Sequence, residues 1–211
     1  MMTKIAIADA HTVVRAGLRR LLDEVADFAV VAEAASGEDT LRAVRDKTPD
    51  CLLMDAAVPG LGGLETTRRL HRRHPDLKIV GMSARSEGPL PMQMMEAGAC
   101  GYLSKSCTPA ELVNAVHSVT HGQRFVNAEV ASSLVASGMD GRRSPINDLS
   151  SRELQVLLMV SQAHSQSQIA NQLCISPKTV STYRTRVCRK LEVNSDVELV
   201  HMAVRYGLLE L

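Results

Sequence analysis

Apolar residues occur first in short runs separated by helical repeats, and later only at helical spacing. The change divides the chain in two. Lys4 to Ala8, Ala29 to Ala32, Cys51 to Met54, Lys78 to Met82 and Gly101 to Leu103 have the length and character of buried strands. After the first, Val14, Leu18, Leu21, Leu22 and Val25 recur at three- and four-residue intervals, which predicts a helix. Ser36 with Asp39 reads as an N-cap opening a second helix through Leu41 and Val44. Leu64 to His74 reads as a third, stopped by Pro75. Met92 to Ala97 form a fourth, closed by Gly98. Thr108, Pro109 and Glu111 make a capping box with proline at the first helical position, ahead of Leu112, Val113, Val116 and Val119. Five strand–helix alternations predict an α/β, doubly wound, five-stranded parallel sheet covered on both faces.

From Asn127 onward no strand pattern remains. Val130, Leu134 and Val135 suggest one short helix, and Ser137 to Pro145 is a polar, glycine-containing linker. Four helical units follow. Ser150 with Glu153, Ser165 with Gln168, and Ser195 with Glu198 read as N-terminal boxes, and Ser176-Pro177 as an N-cap followed by proline. The predicted organisation is a sheet domain over 1–121, a linker with a short helix over 122–147, and an all-α four-helix domain over 148–211.

The ends of the strands carry the candidate chemistry. The first stops at Asp9, the third at Asp55, the fourth at Ser83, and Lys105 follows the fifth. Open parallel sheets bind ligands at the carboxyl ends of their strands. Asp55 is followed by Pro59, Gly60, Gly62 and Gly63, a dense turn signal, so a turn-capping carboxylate is the plain alternative. A desolvated acid is costly without a cation or donors, which favours a site.

Composition narrows the classes. A net charge of +1 means that any nucleic-acid surface must be local. Five cysteines without a C-x-x-C pair argue against a disulfide framework or a zinc site. No apolar run reaches a membrane span and the first residues lack a signal-type core, so no membrane partner is expected and the cytoplasm is the expected compartment. Lys178, Arg184, Arg186, Arg189 and Lys190 crowd one helix that lacks acids. Two short helices joined by a tight turn suggest a helix-turn-helix. Val180, Val187 and Leu191 should face inward, and Ser181, Thr182 and Thr185 outward beside the basic residues. Ser176, Lys178 and Thr179 stand at the helix start, where free N–H groups favour phosphate. A solvated basic helix is the alternative. The run Arg68, Arg69, Arg72 and Arg73 reads as a solvated face, and Met92, Met94 and Met95 as core filler.

Leu149-Ser150-Ser151-Arg152-Glu153-Leu154, Gln168-Ile169-Ala170 and Ile175 to Tyr183 resemble the LuxR-type helix-turn-helix. With the β/α domain before them, nearly the whole chain resembles a NarL/FixJ-type two-component response regulator, whose receiver is flavodoxin-like. Gly101 to Lys105, Gly122-Gln123-Arg124 and Asp196 to Leu199 resemble the GacA/UvrY branch. The resemblance implies a transcriptional regulator that binds promoter DNA, forms a homodimer, and is phosphorylated on Asp55 by a sensor histidine kinase. It implies that Ser83 and Lys105 hold the phosphoryl oxygens and that Tyr102 is a switch aromatic. It also implies Mg²⁺ on Asp9, Asp55 and the Ala57 carbonyl. On the DNA side it implies contacts from Lys178, Thr179, Ser181, Thr182, Arg184, Thr185, Arg186 and Arg189.

The chain departs from the family at one place. Two adjacent acids normally follow the first strand; here Asp9-Ala10-His11 stands. Ala10 replaces an acid that ligates the metal, and a methyl group cannot hold a hard cation, so Mg²⁺ binding should weaken. A neutral imidazole suits softer metals and is a poor substitute, and the family has histidine here in any case. The departure supports an alternative input, an atypical receiver acting through dimerisation or another ligand. A phosphatase-like enzyme is a third class. It would need a second acid two residues after Asp55, where Ala57 stands.

Overall fold

The structure is a computed structural model that describes residues 2–84, 88–132, 145–206 and 208. The chain divides into two compact units, the break between them following Ser132.

The first unit is a parallel sheet in the order β2-β1-β3-β4-β5-β6. Its strands are β1 (Thr3–Ala8), β2 (Phe28–Ala34), β3 (Cys51–Asp55), β4 (Lys78–Ser83), β5 (Gly101–Ser104) and β6 (Phe125–Val126). Helices α1 (Thr12–Asp23), α2 (Gly37–Lys47), α3 (Gly62–Arg73), α4 (Leu90–Glu96) and α5 (Pro109–Thr120) connect them. Every residue of β3 is buried, as a central strand covered on both faces must be. Ile5, Ile7, Leu53, Met82 and Leu103 point to one face and meet Leu18 and Leu22 of α1 and Leu112, Val116 and Val119 of α5. Leu52, Met54 and Ile79 alternate to the other face and are equally buried.

The expected sheet of five strands has a sixth. β6 pairs Gly101 with Phe125 and Tyr102 with Val126. Two half-buried residues are too short a run for periodicity to register, and this strand exists only because the edge of β5 templates it. β2 is likewise longer than its apolar run, because β1 pairs with it through Ala34. Residues 128–132 are helical; Leu134, Val135 and the linker expected from Ser137 lie outside the described residues up to position 144.

The second unit has a 3₁₀ turn (Pro145–Asp148) and then α6 (Ser151–Ser161), α7 (Gln166–Leu173), α8 (Pro177–Leu191) and α9 (Asp196–Arg205). Ser150 and Ser165 form complete reciprocal capping boxes with Glu153 and Gln168, and Thr108 does so with Glu111 in the first unit. Val156, Met159, Ile169, Ala170, Leu173 and Val180 make the core in which α6, α7 and α8 meet. Among the described residues no helix is long and apolar enough to cross a membrane.

Candidate functional site

The strand register gathers the polar strand ends. Ala8 pairs with Met54, Asp55 with Met82, and Ser83 with Ser104, so Asp9, Asp55, Ser83 and Lys105 emerge along one edge of the sheet. The Lys105 ammonium lies 2.8 Å from Asp9 Oδ2 and 3.2 Å from Asp55 Oδ2. Both carboxylates are buried. Asp55 Oδ1 accepts from the Ala57 N–H at 3.1 Å. Lys105 N–H donates to the Ser83 carbonyl at 2.7 Å, which ties the two strand ends together. Gly63 is required beneath this site: a Cβ there would stand 2.3 Å from the Asp55 carbonyl oxygen.

Burial raises the Asp55 pKa above the ordinary carboxylate range, and the charge of Asp9 adds to this, while Lys105 opposes it. Burial disfavours the Lys105 ammonium, but Asp55 and Asp9 outweigh it and its pKa is raised. An acidic pair bridged by a lysine can accept a group that brings negative charge to the Asp55 oxygen, because a cation already stands beside it.

Tyr102 is fully buried on β5. Its ring lies over Gly81, where a Cβ would stand 2.6 Å from Cδ2, and near Met94. The ring is turned inward, and the absent side chain at Gly81 makes room for it. Burial pushes the phenol pKa up, offset in part by Ser83.

The loop after β1 holds details that the sequence did not reveal. The His11 N–H donates to Asp9 Oδ1 at 2.7 Å, and its ring Nδ1 lies 3.1 Å from the same oxygen. Arg15 donates to the carbonyls of Asp9 and Ala10 and is held by Glu33. Ala10 is exposed and offers only its methyl group. Asp9, His11 and Asp55 each present a ligand atom within 4.8 Å of the others. Asp9 and Asp55 fit a divalent cation in chemistry and placement.

In the second unit, Lys178, Ser181, Thr182, Thr185, Arg186 and Arg189 line one concave face of α8. Val180, Val187 and Leu191 are buried behind it. Thr182 and Thr185 donate their hydroxyls to carbonyls four residues back, leaving the oxygen lone pairs outward. Thr179 is turned to its cap, its hydroxyl 2.8 Å from Ser176 Oγ. Arg184 departs from the expected face: it makes two bonds to Asp196 at the start of α9, at 2.8 and 2.7 Å. Lys190 departs too, pairing with the buried Glu153 at 2.7 Å and with the Asp148 carbonyl. Gln166 donates to the Pro177 carbonyl and so fixes the start of α8 against α7. On α9 the buried stripe is Leu199 and Ala203, while Val197 is 66% exposed. Arg68 and Arg69 are not a solvated face, since both pair with the buried Glu65.

Residues 5–117 match the response regulator receiver domain, and residues 147–203 match the bacterial regulatory proteins of the luxR family. The chain therefore belongs to the response regulators that join a receiver to a LuxR-type DNA-binding domain. Within that class it is similar to the response regulator UvrY of Escherichia coli K12, 43% identical over 98% of this chain and 96% of UvrY. It is also similar to the response regulator GacA of Pseudomonas aeruginosa, 42% identical over 99% of each chain. RcsB of Salmonella enterica serovar Typhimurium, solved bound to the promoter rprA with a phosphomimetic, shares the fold over all of both chains, with a TM-score of 0.78 at 22% identity.

Proposed function

We propose that this chain is a cytoplasmic transcriptional regulator switched by phosphorylation of Asp55 from a sensor histidine kinase. The observation that carries the reading is Lys105 bridging Asp9 and Asp55 at the carboxyl edge of the sheet. A carboxylate oxygen of Asp55 attacks phosphorus as the P–N bond to the kinase imidazole breaks, and that imidazole leaves with the bond's electrons and takes up a proton. Lys105 follows the incoming phosphoryl oxygens and leaves Asp55. The Ser83 hydroxyl bonds a second oxygen, and the buried Tyr102 behind it responds to that shift as the switch aromatic. Asp9, Asp55 and the Ala57 carbonyl would hold Mg²⁺, which offsets the charge built up beside Asp9. With Ala10 in place of a ligand acid, that hold is weaker than in a site with two adjacent acids. No acid stands two residues after Asp55 to protonate a leaving group, so in this reading the chain is not a hydrolase.

The output is promoter binding by a homodimer. α8 enters the major groove, Lys178, Arg186 and Arg189 meet phosphates, and Ser181, Thr182 and Thr185 reach base edges. The exposed Val197 at the start of α9 supports a two-fold contact on that helix. The DNA-binding domain is taken as 148–211, and the receiver expected over 1–121 extends past that bound to include β6 before the linker.

Incubation with a small-molecule phosphodonor and Mg²⁺, followed by intact mass, tests the input. The native chain gains one phosphoryl group and Asp55→Asn gains none. Equal phosphorylation of both moves the acceptor elsewhere.

A further inference from the structure

We infer that the hydrogen bond from Ser106 to Glu129 is a latch that holds the segment after β6 to the turn after Lys105, and that phosphate on Asp55 opens it. The trigger rests on the phosphorylation reading above. A tight turn follows Lys105 at once. The Cys107 N–H donates to the Ser104 carbonyl at 3.0 Å, and the Ser106 N–H donates to Ser104 Oγ at 3.2 Å. Ser104 is fully buried, so the turn starts from a fixed point. The hydroxyls of Ser104 and Ser106 are bonded to each other, and Ser106 Oγ donates its proton to Glu129 Oε2 at 3.0 Å. Glu129 stands in the helical segment 128–132, whose Ala131 N–H donates to the Asn127 carbonyl at 2.9 Å.

A second contact ties the same two stretches together. The Glu111 carboxyl is held below the ordinary carboxylate range chiefly by the Thr108 N–H, and the Asn127 amide adds to this. The Asn127 N–H also reaches the Tyr102 carbonyl, at 3.4 Å. Residues 127–129 are therefore bonded on both sides of the turn that carries Lys105. The sheet order sets the direction in which the turn is pulled. Asp55 ends β3, two strands from β5 on one side, whereas the segment with Glu129 follows β6 on the other. A phosphoryl group carries more negative charge than the carboxylate it joins, so it draws Lys105 more strongly. The Lys105 N–H is bonded to the Ser83 carbonyl at 2.7 Å, and the ladder holds β5 in place. The displacement therefore falls on the turn and carries Ser106 away from Glu129. Ser106 and Glu129 are exposed, so their bond competes with water and is the first to give. The state of Asp55 thus reaches the start of the linker that leads to the DNA-binding unit.

Hydrogen exchange across residues 128–132 of the full chain tests the latch, measured before and after treatment with a phosphodonor and Mg²⁺, with intact mass as the check on phosphate. In the native chain, exchange there speeds by at least about threefold once phosphate is confirmed. Ser106→Ala and Glu129→Ala exchange that fast without phosphate and gain nothing further from it. Combined, they are no faster than either alone, since both remove one bond. Glu129→Gln keeps an acceptor oxygen and follows the native chain. Each variant accepts as much phosphate as the native chain, so a change in exchange is not a change in occupancy. Unchanged exchange in the phosphorylated native chain, or further speeding of Ser106→Ala by phosphate, overturns the inference and leaves the phosphorylation reading intact. A native chain that gains no phosphate sinks that reading, and the trigger of the latch with it.

Discussion

At the scale of single residues, burying the Asp55 carboxylate works against the stability of the fold. Its pKa is raised in the folded state, chiefly by burial, so the folded receiver holds the proton more tightly than the unfolded chain. Stability then falls as pH rises from the ordinary aspartate value, about 3.9, through the raised one, and the full penalty applies above it. Asp55→Asn removes that charge with little change in shape. It should raise the thermal midpoint of the receiver by a few degrees at neutral pH, and the gain should vanish in acid. A thermal scan at both pH values checks this; a lower midpoint at neutral pH would show that the bond to Lys105 outweighs the burial. Asp55, Ser83 and Lys105 were legible in the sequence because each polar residue ends or follows an apolar run. The ring of His11 and the clamp of Arg15 were not. Their positions come from hydrogen bonds to backbone oxygens of a loop whose path only the folded sheet defines.

At the scale of elements, the helix starts were the most readable features, because a capping box is local. Ser150 and Glu153 close theirs as expected, but Glu153 is also buried and bound to Lys190 across 37 residues of sequence, which no local pattern encodes. Burial opposes the Glu153 charge, but Lys190 and Ser150 outweigh it and hold its pKa below the usual value. The folded pKa is depressed, so this contribution is present above the unfolded pKa, about 4.3, and is lost as pH falls through the folded value. Glu153→Gln should therefore flatten the acid limb of the stability profile of the helical unit, read by circular dichroism. An unchanged limb would assign its acid lability to other carboxylates. The same distinction between local and tertiary signals splits the basic residues of α8. Each of Lys178→Ala, Arg186→Ala and Arg189→Ala should lower the salt slope of DNA binding by up to about one unit. Arg184→Ala should leave the slope nearly unchanged and cost no more than about 1 kcal/mol of stability, the range of an exposed ion pair. An equal slope loss for Arg184 would mean that it releases Asp196 on binding. β6 escaped the pattern altogether because it owes its existence to the edge of β5.

At the scale of the whole molecule, two units of different architecture carry a charge-accepting site and a basic helix face. The division was visible as the point at which strand-length apolar runs cease. The central claim is that phosphate on Asp55 controls DNA binding by α8. It is tested most directly by measuring promoter affinity of the full chain before and after treatment with a phosphodonor, beside Asp55→Asn treated identically. The account predicts tighter and more cooperative binding for the phosphorylated native chain, and one unchanged affinity for Asp55→Asn in both conditions. Equal affinity of the native chain with and without confirmed phosphate on Asp55 would contradict it.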